Sequence, residues 1–136
     1  MIPQSTRRFI EEVDYALLAS ASAGGKPHLA AGYGLRVVGD DHVIFDAWFC
    51  HRTLENIAGN PNVAVMVLDR EGRKGYQLTG QVEKTEEVAI LNGFVPTAEQ
   101  PGMPQVEETL LVRIDAVTRF SGGVHTDRRV DEEKQG

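Results

Sequence analysis

A mostly antiparallel β-barrel or β-sandwich with short helices is the fold class this chain predicts, and three observations predict it. Apolar or alternating stretches of strand character occur at Tyr15 to Ala23, Pro27 to Val38, His42 to Phe49, Val63 to Leu68, Tyr76 to Glu83 and about Glu107 to Phe120. Short turns rich in glycine, asparagine and aspartate separate most of them. The strands do not alternate regularly with helices, which disfavours a doubly wound parallel sheet.

Each element has its own warrant. Pro3 to Val13 reads as a short helix that Ser5 or Thr6 can cap, with Phe9 and Val13 at helical spacing. The strand Tyr15 to Ala23 ends at Gly24-Gly25, whose backbone freedom suits a hairpin turn. Pro27 to Val38 follows, with Leu29, Ala31, Tyr33, Leu35 and Val37 expected on one face. Ala30, Gly32, Gly34 and Arg36 fall on the other, and the two glycines leave two readings open. They admit the close approach of another group, or they mark a bulge or tight bend. Gly39-Asp40-Asp41 turns the chain into His42 to Phe49, and a helix is predicted over 53–58. Gly59-Asn60-Pro61-Asn62 breaks that helix. Val63 to Leu68 is continuously apolar and is expected to be buried on both faces. After the polar turn Asp69 to Gly75, Tyr76, Leu78, Gly80 and Val82 alternate with Gln77, Thr79, Gln81 and Glu83. A third helix is expected after Thr85, with Glu86 and Glu87 in its first turn and Asn92-Gly93 at its end. Val95 to Gln105 is a loop rich in proline and glycine. Thr126 to Gly136, with seven charges and one apolar residue, reads as a mobile tail behind a domain of residues 1–125.

Composition narrows the function. A chain of 136 residues suits one domain, and 41% hydrophobic with 25% charged residues is an ordinary globular balance. A net charge of -6 argues against a nucleic-acid partner, although an anionic small ligand needs only one or two cations. The single cysteine, Cys50, forms no internal disulfide and suits a reducing compartment. Neither a signal-type apolar stretch nor a bilayer-length run is present, so no membrane role and a cytoplasmic location are the expectation.

The most informative segment is Phe49-Cys50-His51-Arg52-Thr53-Leu54-Glu55-Asn56-Ile57, where a strand gives way to a helix. Amides at a helix N-terminus have no internal partners, and the helix dipole adds partial positive charge. Arg52 adds a fork of donors and Thr53 a hydroxyl, a combination suited to a phosphate. The alternative is that Thr53 simply caps the helix and Arg52 is a solvated charge. Aromatic residues cluster just before this corner at Phe45, Trp48 and Phe49, with Tyr33 on a neighbouring strand. Counting by twos sets Phe45 and Phe49 in the core and Trp48 on the opposite face, free for a ligand or a subunit interface.

Other chemistries find little support. His28, His42, His51 and His125 lack zinc spacing, although a haem-ligand role for one of them stays open. There is no Gly-x-Ser-x-Gly elbow and no Walker-type loop, and Gly32-Tyr33-Gly34 lacks the helix a dinucleotide fingerprint requires.

Four stretches together resemble the flavin mononucleotide (FMN)-binding split-barrel family, which includes pyridoxamine 5'-phosphate oxidase and small bacterial flavin-binding proteins. Tyr15-Ala16-Leu17-Leu18-Ala19-Ser20 with Gly25-Lys26-Pro27-His28-Leu29 is similar to the family's opening hairpin. His51-Arg52-Thr53 with Asn56 resembles its phosphate-holding turn and helix. Asn60-Pro61-Asn62-Val63-Ala64-Val65 and Gln77-Leu78-Thr79-Gly80-Gln81-Val82-Glu83 resemble the two strands that follow. The resemblance implies a six-stranded antiparallel split β-barrel and FMN as cofactor. It implies that His51, Arg52 and Thr53 form the phosphate turn, with Arg52 and Thr53 in contact and Asn56 steadying it. It sets the backbone of Ala31, Gly32 and Tyr33 along the flavin, with Ala47 and Trp48 on the adjacent strand. It further implies a homodimer with flavin at the subunit interface, and a flavin-dependent oxidoreductase acting on an unidentified small molecule. A non-enzymatic flavin carrier or electron-transfer protein is the alternative, as is a haem- or deazaflavin-binding barrel. The segment that grips pyridoxal phosphate in the true oxidase has only a faint echo in Gly123-Val124-His125-Thr126-Asp127-Arg128, so vitamin B6 oxidation is not expected.

Overall fold

Six antiparallel strands close on themselves in the order β1-β2-β3-β6-β5-β4, because β1 pairs with β4 as well as with β2. The computed structural model describes residues 1–48, 50–91, 105–121 and 130. In chain order these are α1 (Gln4–Glu12), β1 (Tyr15–Ala21), β2 (Pro27–Val38), β3 (His42–Trp48), α2 (His51–Gly59), β4 (Asn62–Leu68), β5 (Lys74–Leu91) and β6 (Gln105–Ser121). The expected six-stranded split barrel is therefore present, with two helices among the described residues.

Alternation builds the core. Ala16, Leu18 and Ser20 of β1, Val63, Val65 and Val67 of β4, and Tyr76 and Leu78 of β5 all point inward and are buried. Val43 and Phe45 of β3 meet Val112 and Leu110 of β6 in direct register, and all four are buried. Full burial of side chains of this size stabilises the fold by about 1.5–3 kcal/mol each. The outer side of β4 is not covered: Ala64, Met66 and Leu68 are half-buried. The expectation of burial on both faces is thus corrected, since an antiparallel sheet can leave one side to water.

Helix α1 lies against β2 and presents Thr6 and Ile10 to the interior, while Phe9 meets Tyr76 edge-on at 5.4 Å. Its N-cap is Pro3, without a side-chain cap, so neither Ser5 nor Thr6 has the expected role. Arg7 clasps the chain start instead, donating to the carbonyls of Ile2 at 3.1 Å and Gly39 at 2.6 Å. The Ile2 amide donates to Asp40 O at 2.8 Å.

The largest departure from expectation is β5. It runs on as strand through residues 85–91, where a helix capped by Thr85 was expected, and pairs with β6 as far as Leu91↔Gln105. The segment's helix-favouring glutamates and alanine are overridden by pairing with β6, which continues past a register shift between Glu87 and Ala89. Asn92-Gly93, the 95–105 loop up to residue 104, and Gly123 to Arg128 lie outside the described residues. Of the tail, only Val130 is described, and it is buried in the core cluster.

Candidate functional site

The site is built where β3 hands over to α2. Cys50, at φ -75° and ψ 110°, is the N-cap of α2, and its carbonyl accepts from the Leu54 amide at 3.3 Å. Thr53 is therefore the third helical residue and not the cap. No side chain caps this end. The amides of His51, Arg52 and Thr53 have no acceptor within the helix, which leaves three donors and the positive end of the dipole at the corner.

The predicted site residues divide by environment. Arg52 is exposed, and its Nε lies 3.9 Å from Glu55, a loose contact that leaves the guanidinium fork available. His51 is half-buried. Thr53 is fully buried, and its Oγ1 has no hydrogen-bond partner among the described residues. A hydroxyl left so is destabilising unless something meets it. Asn56 is buried and donates from Nδ2 to Ser20 Oγ at 3.1 Å, tying α2 to β1.

On β2, Ala31 and Tyr33 face outward, and Tyr33 is 69% exposed. Tyr33 pairs with Ala47 of β3. Gly32 faces inward, and the group that approaches it is Trp48 of the same chain: a Cβ built on Gly32 would lie 2.1 Å from the indole. Trp48 is 1% exposed and packs edge-on against Phe45 at 4.8 Å. This corrects the expected outward facing of Trp48. A register shift between Phe45 and Trp48 puts both on the inner face, although they are three residues apart. The Trp48 Nε1 is buried and lacks a partner among the described residues. Phe49 lies outside the described residues.

Gly34, at φ 74°, accounts for the second glycine. The side chains of β2 change faces there. Leu29, Ala31 and Tyr33 point outward, whereas Leu35 and Val37 pack against the core. The predicted single stripe from Leu29 to Val37 is thus broken in two. Just beyond, Arg36 grips Asp46 with a bidentate pair at 2.8 and 3.0 Å. The guanidinium holds the Asp46 carboxyl below its ordinary range, so that charge is neutralised beside Ala47.

The contacts that Ser20, His28 and Cys50 make at the corner escaped sequence reasoning. Ser20 and His28 are cross-strand partners on β1 and β2, and His28 Nε2 lies 3.4 Å from Cys50 Sγ. The signal was available in the turn: a hairpin centred on Gly24 sets residue 20 opposite residue 28. Among the described residues no three histidine, cysteine, aspartate or glutamate side chains converge as a metal would require. No helix among them is long and apolar enough to cross a membrane.

The family profile described as pyridoxamine 5'-phosphate oxidase matches residues 2–119. The chain belongs to that family. Among solved structures, this family member is similar to HupZ from Group A Streptococcus, at 21% identity and a TM-score of 0.67, over 93% of this chain and 99% of that one. An FMN-binding protein from Syntrophomonas wolfei subsp. wolfei is 18% identical, with a TM-score of 0.57, over 85% of this chain and 84% of the other. HutZ, a heme storage protein from Vibrio cholerae, is 15% identical, with a TM-score of 0.57, over 93% and 99%. At these identities the likenesses establish the fold alone. No curated protein matches the chain in sequence.

Proposed function

We propose that this protein binds FMN, with the phosphate at the N-terminus of α2 and the ring along the outer side of β2. The observation that carries the reading is the uncapped first turn of α2, where the exposed Arg52 has only a loose contact with Glu55 and the fully buried Thr53 hydroxyl has no partner among the described residues. A phosphate suits that set: backbone amides and an arginine fork donate to its oxygens, and it is negatively charged as the dipole requires. Ala31 and Tyr33, with the neighbouring Ala47 backbone, would border the ring. Trp48 is inside the barrel, and among the described residues of β2 and β3 the exposed Tyr33 is the aromatic placed to limit solvent access.

The bound flavin would supply hydride or electron transfer, and the protein would bind it, orient it and shield it. In this reading the protein is a flavin-dependent oxidoreductase for a small molecule, working in the cytoplasm as a homodimer with flavin at the interface. The outer side of the sheet supports the dimer. Tyr15 faces Tyr33, Leu17 faces Ala31 and Ala19 faces Leu29, three outward apolar pairs in register. Tyr15, Leu29 and Tyr33 are 46%, 62% and 69% exposed in the single chain. A contiguous patch of this kind marks an interaction surface.

The test is the visible spectrum after loading with FMN and desalting, in the native protein and in Arg52→Ala. Retained oxidised-flavin bands are expected for the native chain. Loss of one charge-assisted contact should weaken FMN by about 1.5–3 kcal/mol, roughly tenfold to a hundredfold. A native protein that retains no flavin, or shows a Soret band of its own, would sink the reading. Turnover with a reduced nicotinamide and an acceptor then separates an enzyme from an electron carrier.

A further inference from the structure

We propose that Ser20 and His28 are positioning residues for the phosphate corner, holding α2 so that its first-turn amides and Arg52 face one point. This rests on the FMN reading above. Both residues sit on the inner side of the β1–β2 hairpin, directly opposite one another in register. Each reaches α2. Ser20, 4% exposed, accepts from Asn56 Nδ2 at 3.1 Å, and His28 Nε2 meets Cys50 Sγ at 3.4 Å.

The two contacts engage the helix at different heights. Cys50 is the N-cap and Asn56 lies six residues further on, about 9 Å along the axis at the usual rise. One tether leaves a helix free to pivot. Two tethers at separate heights, both anchored in one rigid strand pair, fix its tilt and rotation together. Thr53 lies between them and faces the interior with Asn56. The tethers therefore set the position of the buried Thr53 hydroxyl as well as the direction of the amides.

The His28 contact has a second consequence. Serine, threonine, asparagine or aspartate at an N-cap accepts a bond from the second or third amide and so closes the helix end. A thiol is a weak acceptor, and the Cys50 thiol is engaged by His28 and makes no cap. The donors that an oxyanion needs stay open.

The experiment compares FMN with riboflavin, which carries the ring without the phosphate, by fluorescence titration alongside thermal melting. Ser20→Ala and His28→Ala should each weaken FMN by roughly threefold to tenfold while leaving riboflavin unchanged. Ser20→Thr, which keeps the hydroxyl, should restore FMN affinity. Asn56→Ala provides the same severed tether from the helix side if Ser20→Ala fails to fold. Equal loss of both ligands, or of neither, in variants that melt like the native protein would overturn the positioning role and leave the FMN reading intact. If native protein binds no FMN, or Arg52→Ala binds it unchanged, the phosphate corner itself fails and the positioning role with it.

Discussion

Gly32 and Gly34 lie two residues apart on β2, yet each answers to a different constraint. Gly32 has no room: the Trp48 indole occupies the space that a Cβ needs, with its nearest carbon at 2.1 Å. Gly34 has open space around it but a φ of 74°, which side-chain-bearing residues rarely adopt. Gly32→Ala should therefore destabilise by about 1–3 kcal/mol through overpacking. Gly34→Ala should lose about 1–2 kcal/mol through backbone strain alone. Urea denaturation with near-ultraviolet circular dichroism checks both, because only the first should disturb the Trp48 signal. The sequence displayed two glycines on an alternating strand but neither the left-handed backbone of Gly34 nor the partner of Gly32. That partner comes from β3, and the bulge before Trp48 that turns it inward leaves no local mark. The basic and hydroxyl residues of the corner were legible from their order after an apolar strand. The cap was not, because cysteine is not a residue that signals an N-cap.

At the scale of elements, strands defined by strict alternation were legible and the extended hairpin of β5 with β6 was not. Residues 85–91 carry a capping threonine, two acids and good helix formers, and only a partner distant in sequence makes them strand. Across β6, which separates β3 from β5, one histidine joins those two strands. His42 Nδ1 lies 2.8 Å from Asp41 Oδ1, and its Nε2 is bonded to Glu83. Arg113 reaches the same Glu83 at 3.9 Å and Asp115 at 3.4 Å. Both ring nitrogens face carboxylates, and only the doubly protonated ring can donate to both. Glu83 chiefly, with Asp41, raises the His42 pKa above its ordinary 6.5 against the opposing effect of burial. The sign follows from linkage. A raised folded-state value means that the bonds contribute fully below the unfolded pKa and fade as pH rises through the folded one. His42→Gln, neutral throughout, should thus be less stable than the native protein near about pH 6, with the gap closing towards about pH 9. Urea midpoints for the two proteins across that range are the measurement. A gap that stays constant would mean the charged ring contributes nothing.

For the whole molecule, the local pattern reached an antiparallel barrel or sandwich, and closure was beyond it. The β1–β4 pairing that shuts the barrel joins Leu17 to Met66 and Ala19 to Ala64, residues linked by no short-range signal. Closure leaves these side chains outside, beside Tyr15, Leu29, Ala31 and Tyr33, so one surface of the barrel is apolar. The proposed dimer makes that surface and the flavin site parts of one structure, because Ala31 and Tyr33 belong to both. Two glutamates, in Leu29→Glu with Tyr33→Glu, add charge where the single chain is already exposed, so the barrel should keep its melting temperature. Across a two-fold interface, the same charges would face a second copy and oppose its approach. Sedimentation velocity should then report a folded monomer. FMN affinity should fall by about tenfold or more, because the Tyr33 ring and the partner's side of the proposed site are both lost. A double variant that stays dimeric would place the interface on another surface. One that becomes monomeric yet holds FMN as tightly as before would give the flavin a site within a single barrel.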